Sequence, residues 1–157
     1  MPEAASAQEA PELKIQLLGT FRVQVSSRSI PARAWRPKTG RLLKLLALAP
    51  GHSLHREQVL DVLWPDLGVA AAANNLHRTL HATRRALQPE LAPSVPSAFL
   101  HLRGDTLSLS APGSLWIDVE AFELAAATAR HAQEPAAYQT ALELYTGDLL
   151  PEDRYED

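Results

Sequence analysis

Residues 74–87 have the sequence NNLHRTLHATRRAL, in which leucines at helical spacing alternate with polar and basic residues. At 100° per residue, four positions fall within about 40° of one direction and form the side expected to face a core: Leu76, Leu80, Thr83 and Leu87. Four polar side chains lie on the opposite side: Asn74, Arg78, His81 and Arg85. The pattern predicts one long amphipathic helix over residues 69–88, which Pro89 closes.

The polar side of this helix carries the side chains that recognise bases in the major groove of DNA. Arginine can donate two hydrogen bonds to guanine, asparagine can pair in two ways with adenine, and histidine can donate or accept. We therefore predict base contacts from five residues: Asn74, Asn75, Arg78, His81 and Arg85. The alternative is the solvated polar face of an ordinary surface helix.

The net charge of -3 conceals two regions of opposite charge. Residues 28–103 carry eleven basic residues against four acidic ones, a balance of +7. Residues 104–157 carry two basic residues against eleven acidic ones, a balance of -9. A basic block of this kind favours a polyanionic partner, and the acidic block indicates a separate role.

The segments around the long helix predict an α+β fold. Apolar alternation predicts strands in LKIQLLG and TFRVQVSS, with a third short strand around residues 29–30. Helices are predicted from Pro37 to the stop at Pro50-Gly51 and from about His55 to Trp64. Gly104-Asp105 lies between FLHLR and TLSLS and predicts a β-hairpin. This is the layout of a winged helix-turn-helix with an N-terminal antiparallel sheet, a three-helix core and a C-terminal hairpin wing.

Basic residues elsewhere in the basic block are candidates for contacts with DNA phosphates. Helix starts favour anions through their free N–H groups and the helix dipole, and the residue before the hairpin turn can extend to a neighbouring minor groove. Each is alternatively an ordinary solvated charge, but their common sign strengthens the set: Arg36, Lys38, Arg41, Arg56, Arg84 and Arg103.

The acidic region predicts two amphipathic helices, over residues 118–132 and 135–146. Their apolar sides are expected to consist of five residues: Phe122, Leu124, Tyr138, Leu142 and Tyr145. Two helices of this size bury little surface alone, so they either pack on the basic module or begin a longer helical domain. The acidic residues Asp118, Glu120 and Glu123 suit the dipole at the start of the first helix.

Several motifs together resemble a known family. LLGTFRVQV, RPKTGRLLKLLALAPGHSLHREQVLDVLWPD and NNLHRTLHATRRAL resemble the OmpR/PhoB-type winged helix that begins the SARP family of bacterial transcriptional activators. LWIDVEAFELAAATAR and ALELYTGDLLPEDRYED resemble the start of that family's bacterial transcriptional activation domain, a helical, tetratricopeptide-like unit. The likeness covers roughly residues 13–157 and is specific in combination rather than in any one piece.

Residues 1–12 are rich in Ala, Glu and Pro, which predicts a flexible leader. The resemblance implies a DNA-binding domain over residues 13–112 and the start of the activation domain over 113–157. It also implies a four-stranded N-terminal sheet and a last core helix in the major groove. The implied partners are double-stranded promoter DNA, usually as direct repeats bound by a head-to-tail pair, and RNA polymerase. The chain is then either a fragment of a longer regulator or a natural short form.

Two residues depart from the family pattern. His55 stands where the family usually has a Ser or Thr helix cap, which predicts a looser helix start. Thr83 stands where the family usually has Leu, which predicts less apolar packing behind the DNA-facing side.

Other function classes have little support in the sequence. There is no Gly-rich phosphate loop, nucleophile elbow or Cys residue. His77 and His81 have the spacing of two metal ligands, but no third ligand accompanies them. We expect no enzymatic activity, no cofactor and no metal, in a cytoplasmic protein without a membrane span. The main rival hypothesis is a protein-protein interaction module that uses the winged helix and the acidic helices without specific DNA binding.

Overall fold

The computed structural model of the protein describes residues 10–91 and 95–150. Within these ranges the chain is a mixed α+β structure with five α-helices and two sheets. Its contacts divide it into two compact units. The first contains Ile30–Ser114 together with residues 10–11, and the second combines Glu12–Ser29 with residues 115–150.

Three helices build most of the first unit: α1 (Pro37–Leu48), α2 (Arg56–Leu63) and α3 (Val69–Leu87). Pro37 occupies the first helical position, where its missing N–H costs nothing. Leu42, Leu43 and Leu46 of α1 are fully buried, and α1 packs against both α2 and α3. The predicted helices are therefore present, with ends that lie within one or two residues of those expected.

The sheet of the first unit has three strands in the order β4–β6–β5. Strands β5 (Leu100–Arg103) and β6 (Thr106–Leu109) form the predicted antiparallel hairpin, with Leu102 opposite Leu107. Gly104 adopts φ +60° in the connecting turn, a conformation that glycine reaches without strain. Strand β4 (Ser53–His55), which the sequence did not predict, pairs with β6 directly before α2 begins.

The two departures from the family pattern are both accommodated. His55 caps α2, since its Nδ1 accepts a hydrogen bond from the Glu57 N–H at 3.1 Å, so the expected loose start is wrong. Thr83 is fully buried, and its hydroxyl donates to the Thr79 carbonyl oxygen at 2.7 Å. Because that hydroxyl is satisfied within the helix, burying Thr83 leaves no unpaired polar group behind α3.

The second unit is built on a four-stranded sheet in the order β3–β2–β1–β7. The strands are β1 (Leu13–Gln16), β2 (Arg22–Val25), β3 (Arg28–Ser29) and β7 (Leu115–Ile117). The first three strands pair antiparallel, as the sequence predicts, and the four strands agree with the number that the resemblance implies. The fourth strand, β7, differs in that it runs parallel to β1. Strand β7 follows the β5–β6 hairpin in the chain, so it pairs with a strand about a hundred residues earlier.

Helices α4 (Asp118–Ala132) and α5 (Pro135–Leu144) complete this unit, and α4 contacts both β1 and β7. Asp118 lies in the first turn of α4, where the sequence places an acid that suits the helix dipole, and it has a further role that the sequence did not reveal. It is 3% exposed, and its two carboxylate oxygens accept the backbone N–H groups of Leu17 at 2.8 Å and Leu18 at 2.9 Å. The carboxylate therefore ties the end of β1 to the start of α4.

The predicted apolar sides of α4 and α5 are only partly correct. Phe122 and Tyr145 make a tilted ring contact with centroids 5.4 Å apart. Leu124 and Leu142, however, are 70% and 65% exposed, and Tyr138 is exposed as well. The buried side chains of the two helices include Ala129 and Ala141, whose small size allows the helices to approach closely.

These contacts group residues 12–29 with α4 and α5, whereas the sequence motifs assign them to the DNA-binding domain. The boundaries 13–112 and 113–157 stay predictions. The leader over residues 1–12 lies mostly outside the described residues. None of the helices in the described part of the chain is long and apolar enough to cross a membrane.

Candidate nucleic-acid interface

Helix α3 presents the predicted polar side chains to solvent. Leu76, Leu80 and Leu87 are at most 2% exposed and face the core of the first unit. The opposite row, which we call the outer line, is exposed along its whole length: Asn74, Arg78, His81 and Arg85. Asn75 beside it is half-buried. The periodicity of the sequence therefore predicted correctly which side of α3 is buried, and the base-contact role of the outer line stays a prediction.

A groove of about 450 Å³ separates the C-terminal half of α3 from strand β5. Its cationic and histidine side chains come from both walls: His81, Arg84 and Arg85 from α3, and His101 and Arg103 from β5. Apolar residues that include Leu91, Val95 and Leu102 supply much of the remaining surface. No Asp or Glu is among the described residues that line this α3–β5 groove.

Arg84 connects the two walls of the groove. Its Nε donates a hydrogen bond to the Leu100 carbonyl oxygen at 3.2 Å, and the side chain is half-buried. Because the bond uses only one of the five N–H donors of the guanidinium, the terminal nitrogens keep donors for a further acceptor. Arg84 thus holds a positive charge in a fixed place between α3 and β5.

A second set of hydrogen bonds fixes the segment that enters β5. Gln88, just after α3, accepts the Ala98 N–H on its Oε1 at 2.9 Å. The buried Ser97 hydroxyl accepts the N–H groups of Phe99 and Leu100 at 3.2 and 3.1 Å. Neither set of bonds was predicted. The Ser97 bonds are local, to residues two and three positions later, and are typical of a serine turn. The Gln88 bond spans ten residues, so no local pattern reveals it.

The hairpin turn is attached to the start of α2. The Asp105 carbonyl oxygen accepts the Arg56 N–H at 2.7 Å, and the His55 ring accepts the next N–H, that of Glu57. The prediction for Arg56 relied on free N–H groups at this helix start, and these two are already paired. A phosphate contact from Arg56 therefore depends on its half-buried side chain.

The basic residues at the start of α1 have different surroundings. Arg36 is exposed at the N-cap position, and Arg41 is half-buried. Lys38 donates from Nζ to the Leu63 carbonyl oxygen at 2.6 Å and lies 5.9 Å from the centroid of the Trp64 ring. Its ammonium therefore caps the C-terminus of α2.

The structure brings some of the predicted phosphate contacts together and leaves others apart. Arg84 and Arg103 line the α3–β5 groove with His81 and Arg85. The other four do not line it: Arg36, Lys38, Arg41 and Arg56. His101 also lines the groove, although it was not among the predicted site residues. Its position in the alternating FLHLR run, next to Arg103 on the same face of the strand, was the one signal for it. In the described residues no three His, Asp or Glu side chains gather in a way that could hold a metal ion.

Comparisons with known proteins support the fold. The structure is similar to that of EmbR from Mycobacterium tuberculosis, solved in complex with a low-affinity phosphopeptide, with a TM-score of 0.67 at 20% sequence identity. The likeness covers 90% of this chain. It covers 38% of the EmbR chain, so the present chain spans well under half of EmbR's length. No protein-family profile and no curated protein matches the sequence.

Proposed function

We propose that the chain is a sequence-specific DNA-binding transcriptional regulator, an activator of the SARP type. In this proposal α1–α3 and the β5–β6 hairpin form a winged helix-turn-helix, and α3 enters the major groove. The observation that carries the proposal is the exposed outer line of α3, which continues into a groove with basic side chains on both walls. Sequence-specific DNA-binding proteins combine a helix whose polar side chains bond to base edges with a basic surface that contacts the phosphates.

The distribution of charge supports the same function. The balance of +7 over residues 28–103 falls in the segment that contains α1, α2, α3 and β5. Contacts between basic side chains and phosphates supply most of the sequence-independent affinity of a DNA-binding protein. The proposed base-reading residues are the four of the outer line together with Asn75.

The likeness to the EmbR fold supports the relationship to the SARP-type regulators that the sequence motifs indicate. On that relationship we propose promoter DNA with directly repeated sites as the ligand. A homodimer on DNA and a contact with RNA polymerase belong to the same proposal. The acidic second unit, with α4 and α5, is the candidate surface for the polymerase. The proposal includes no enzymatic activity and no cofactor, and it places the protein in the cytoplasm.

Salt dependence of duplex binding tests the proposal. The full chain is titrated into a fluorescently labelled duplex of mixed sequence while anisotropy is recorded at several salt concentrations. A protein that neutralises about six phosphates loses about three decades of affinity between 50 and 200 mM salt. Absent binding, or binding that salt does not weaken, would contradict the proposal.

A protein-protein interaction module is the second candidate, and one observation favours it. Leu124 of α4 and Leu142 of α5 are 70% and 65% exposed, and exposed apolar side chains are candidate contacts for a protein partner. If the chain binds no duplex in the salt titration, this surface becomes the main candidate site.

A further inference from the structure

The α3–β5 groove has an apolar surface that the proposed DNA contact does not use. DNA is recognised mainly through charges and hydrogen bonds to phosphates and base edges. In this groove, however, Val95 is 49% exposed, and Leu91 and Leu102 are half-buried. Pro96 and Leu100 also line it. A surface of this kind fits a ligand with a hydrocarbon body.

The apolar and basic residues lie toward opposite ends of the groove. Gln88, at the end of α3, accepts the Ala98 N–H. Arg84, one turn earlier, donates to the Leu100 carbonyl oxygen. The chain that enters β5 therefore runs opposite to α3 along the groove. Beyond the first bond the lining residues are Leu91, Val95, Pro96 and Ser97, and beyond the second they are His81, His101, Leu102 and Arg103.

The middle of the groove holds a positive charge that is already positioned. Arg84 is half-buried, and its bond to Leu100 at 3.2 Å leaves the terminal nitrogens of the guanidinium free to donate elsewhere. Arg85 follows it in α3 and lines the same groove. Arginine binds a carboxylate through two parallel N–H···O bonds, which fix the direction of the anion. No acidic side chain is among the described lining residues, so none competes for the arginines there.

The groove has the size and order of a small-ligand site. Its volume of about 450 Å³ lies within the range of about 300–1,000 Å³ that is usual for such sites. The wall that leads into β5 is held by the Gln88 bond at 2.9 Å and by the Ser97 bonds to Phe99 and Leu100. A wall that is already ordered loses little conformational entropy when a ligand binds.

We propose that the α3–β5 groove binds a small amphipathic anion, a carboxylate on a hydrocarbon body. The carboxylate pairs with Arg84 and Arg85, and the hydrocarbon body lies along Leu91 and Val95. Because Arg85 also belongs to the outer line of α3, the ligand and a duplex cannot both occupy this part of the helix. The ligand therefore displaces DNA. This last step rests on the proposed DNA-binding function, whereas the ligand site itself does not.

Straight-chain carboxylates are the probes for the ligand site. The full chain is titrated at constant ionic strength with hexanoate, octanoate and decanoate, and the amide NMR spectrum is recorded. We expect the amides of the groove residues to shift, and the affinity to rise about fourfold for each added methylene, the value for burying one CH₂ group. Acetate lacks the hydrocarbon body and octanol lacks the charge, so both should bind at least about tenfold more weakly than octanoate.

Substitutions with matched controls locate the site. Val95→Ser should weaken decanoate binding by about 4- to 15-fold, the value for one or two methylenes, whereas Leu124→Ser removes an exposed leucine from the other unit and should change nothing. Arg84→Gln should weaken it by at least about tenfold, the value for a hydrogen bond to a charged group. Arg85→Gln replaces an exposed side chain, so the fold is kept, and it should bind decanoate more weakly than its control Arg130→Gln.

Competition with a fluorescently labelled duplex tests the effect on DNA binding. Decanoate at ten times its dissociation constant should weaken the affinity for the duplex about elevenfold at constant ionic strength. Val95→Ser should bind the duplex like the wild type in the absence of decanoate. It should need more decanoate for the same displacement, by the factor that it loses in decanoate affinity.

The outcomes separate the ligand site from the function of the protein. If octanol binds as tightly as octanoate, or if Val95→Ser and Arg85→Gln bind decanoate like their controls, the groove is not a site for an amphipathic anion and the inference is wrong. Binding of decanoate and duplex together, each with its separate affinity, would contradict the competition. Decanoate binding in the groove by a chain that binds no duplex would support the ligand site and overturn the proposed DNA-binding function.

Discussion

Replacing the buried carboxylate of Asp118 tests how the second unit is held together. Asp118→Ala removes the acceptor for two backbone N–H groups, those of Leu17 at 2.8 Å and Leu18 at 2.9 Å. Leu17 is fully buried and Leu18 is 4% exposed, so water cannot readily replace the lost acceptor. The substitution therefore leaves two buried donors without partners.

The expected cost follows from that count. A buried donor left unsatisfied costs about 1–3 kcal/mol, so Asp118→Ala should destabilise the second unit by about 2–6 kcal/mol. This is a large part of the roughly 5–15 kcal/mol by which a folded domain is usually stable. Asp118→Asn keeps one oxygen acceptor but sets an NH₂ group against the other N–H, so its cost should lie between zero and that of the alanine variant.

Amide hydrogen exchange measured by NMR checks this prediction residue by residue. In Asp118→Ala the amides of β1 and β2 should exchange at least about 30-fold faster than in the wild type, since 1.4 kcal/mol corresponds to a factor of ten. Glu123→Ala is the matched control, because Glu123 is an exposed acid on the same helix. Equal exchange rates in the two variants would show that the Asp118 carboxylate does not hold these amides, contrary to the hydrogen bonds described.

Substitutions at three further positions each test one contact, with thermal or urea unfolding as the measurement. A Cβ atom added at Gly147 would lie 2.5 Å from the Cα of Gly19, so Gly147→Ala should cost about 1–3 kcal/mol; an unchanged midpoint would show that the two segments are not in this contact. His55→Ala should lose about 0.5–2 kcal/mol with the α2 cap while His55→Ser keeps most of it, and equal losses would argue against capping. Lys38→Ala should lose about 1 kcal/mol with its bond to the Leu63 carbonyl oxygen, whereas a loss matched by Lys38→Arg would point to another cause.

The parts of the fold that depend on local pattern could be predicted from the sequence. The burial of Leu76, Leu80 and Leu87 follows from a period of 3.6 residues, which is visible within one segment. The β5–β6 hairpin follows from alternating residues on both sides of Gly104-Asp105. The exposure of the outer line was predictable for the same reason, because the polar side of an amphipathic helix usually faces solvent.

Features that depend on distant partners could not be predicted in this way. Strand β7 has only three residues, and its parallel pairing with β1 joins segments about a hundred residues apart. The role of Asp118 depends on that same pairing, since its partner Leu17 lies 101 residues away in sequence. In the candidate interface, the bond from Arg84 to Leu100 was missed because the chain reverses direction between α3 and β5.

Selection of bound duplexes from a random DNA pool by the full chain tests the central claim most directly. If the exposed polar side of α3 reads bases, successive rounds should enrich one short motif, and Arg78→Ala should lose the preference at one position of it. Recovery of a pool without a preferred sequence, or of the same motif with Arg78→Ala as with the wild type, would contradict base reading by this helix.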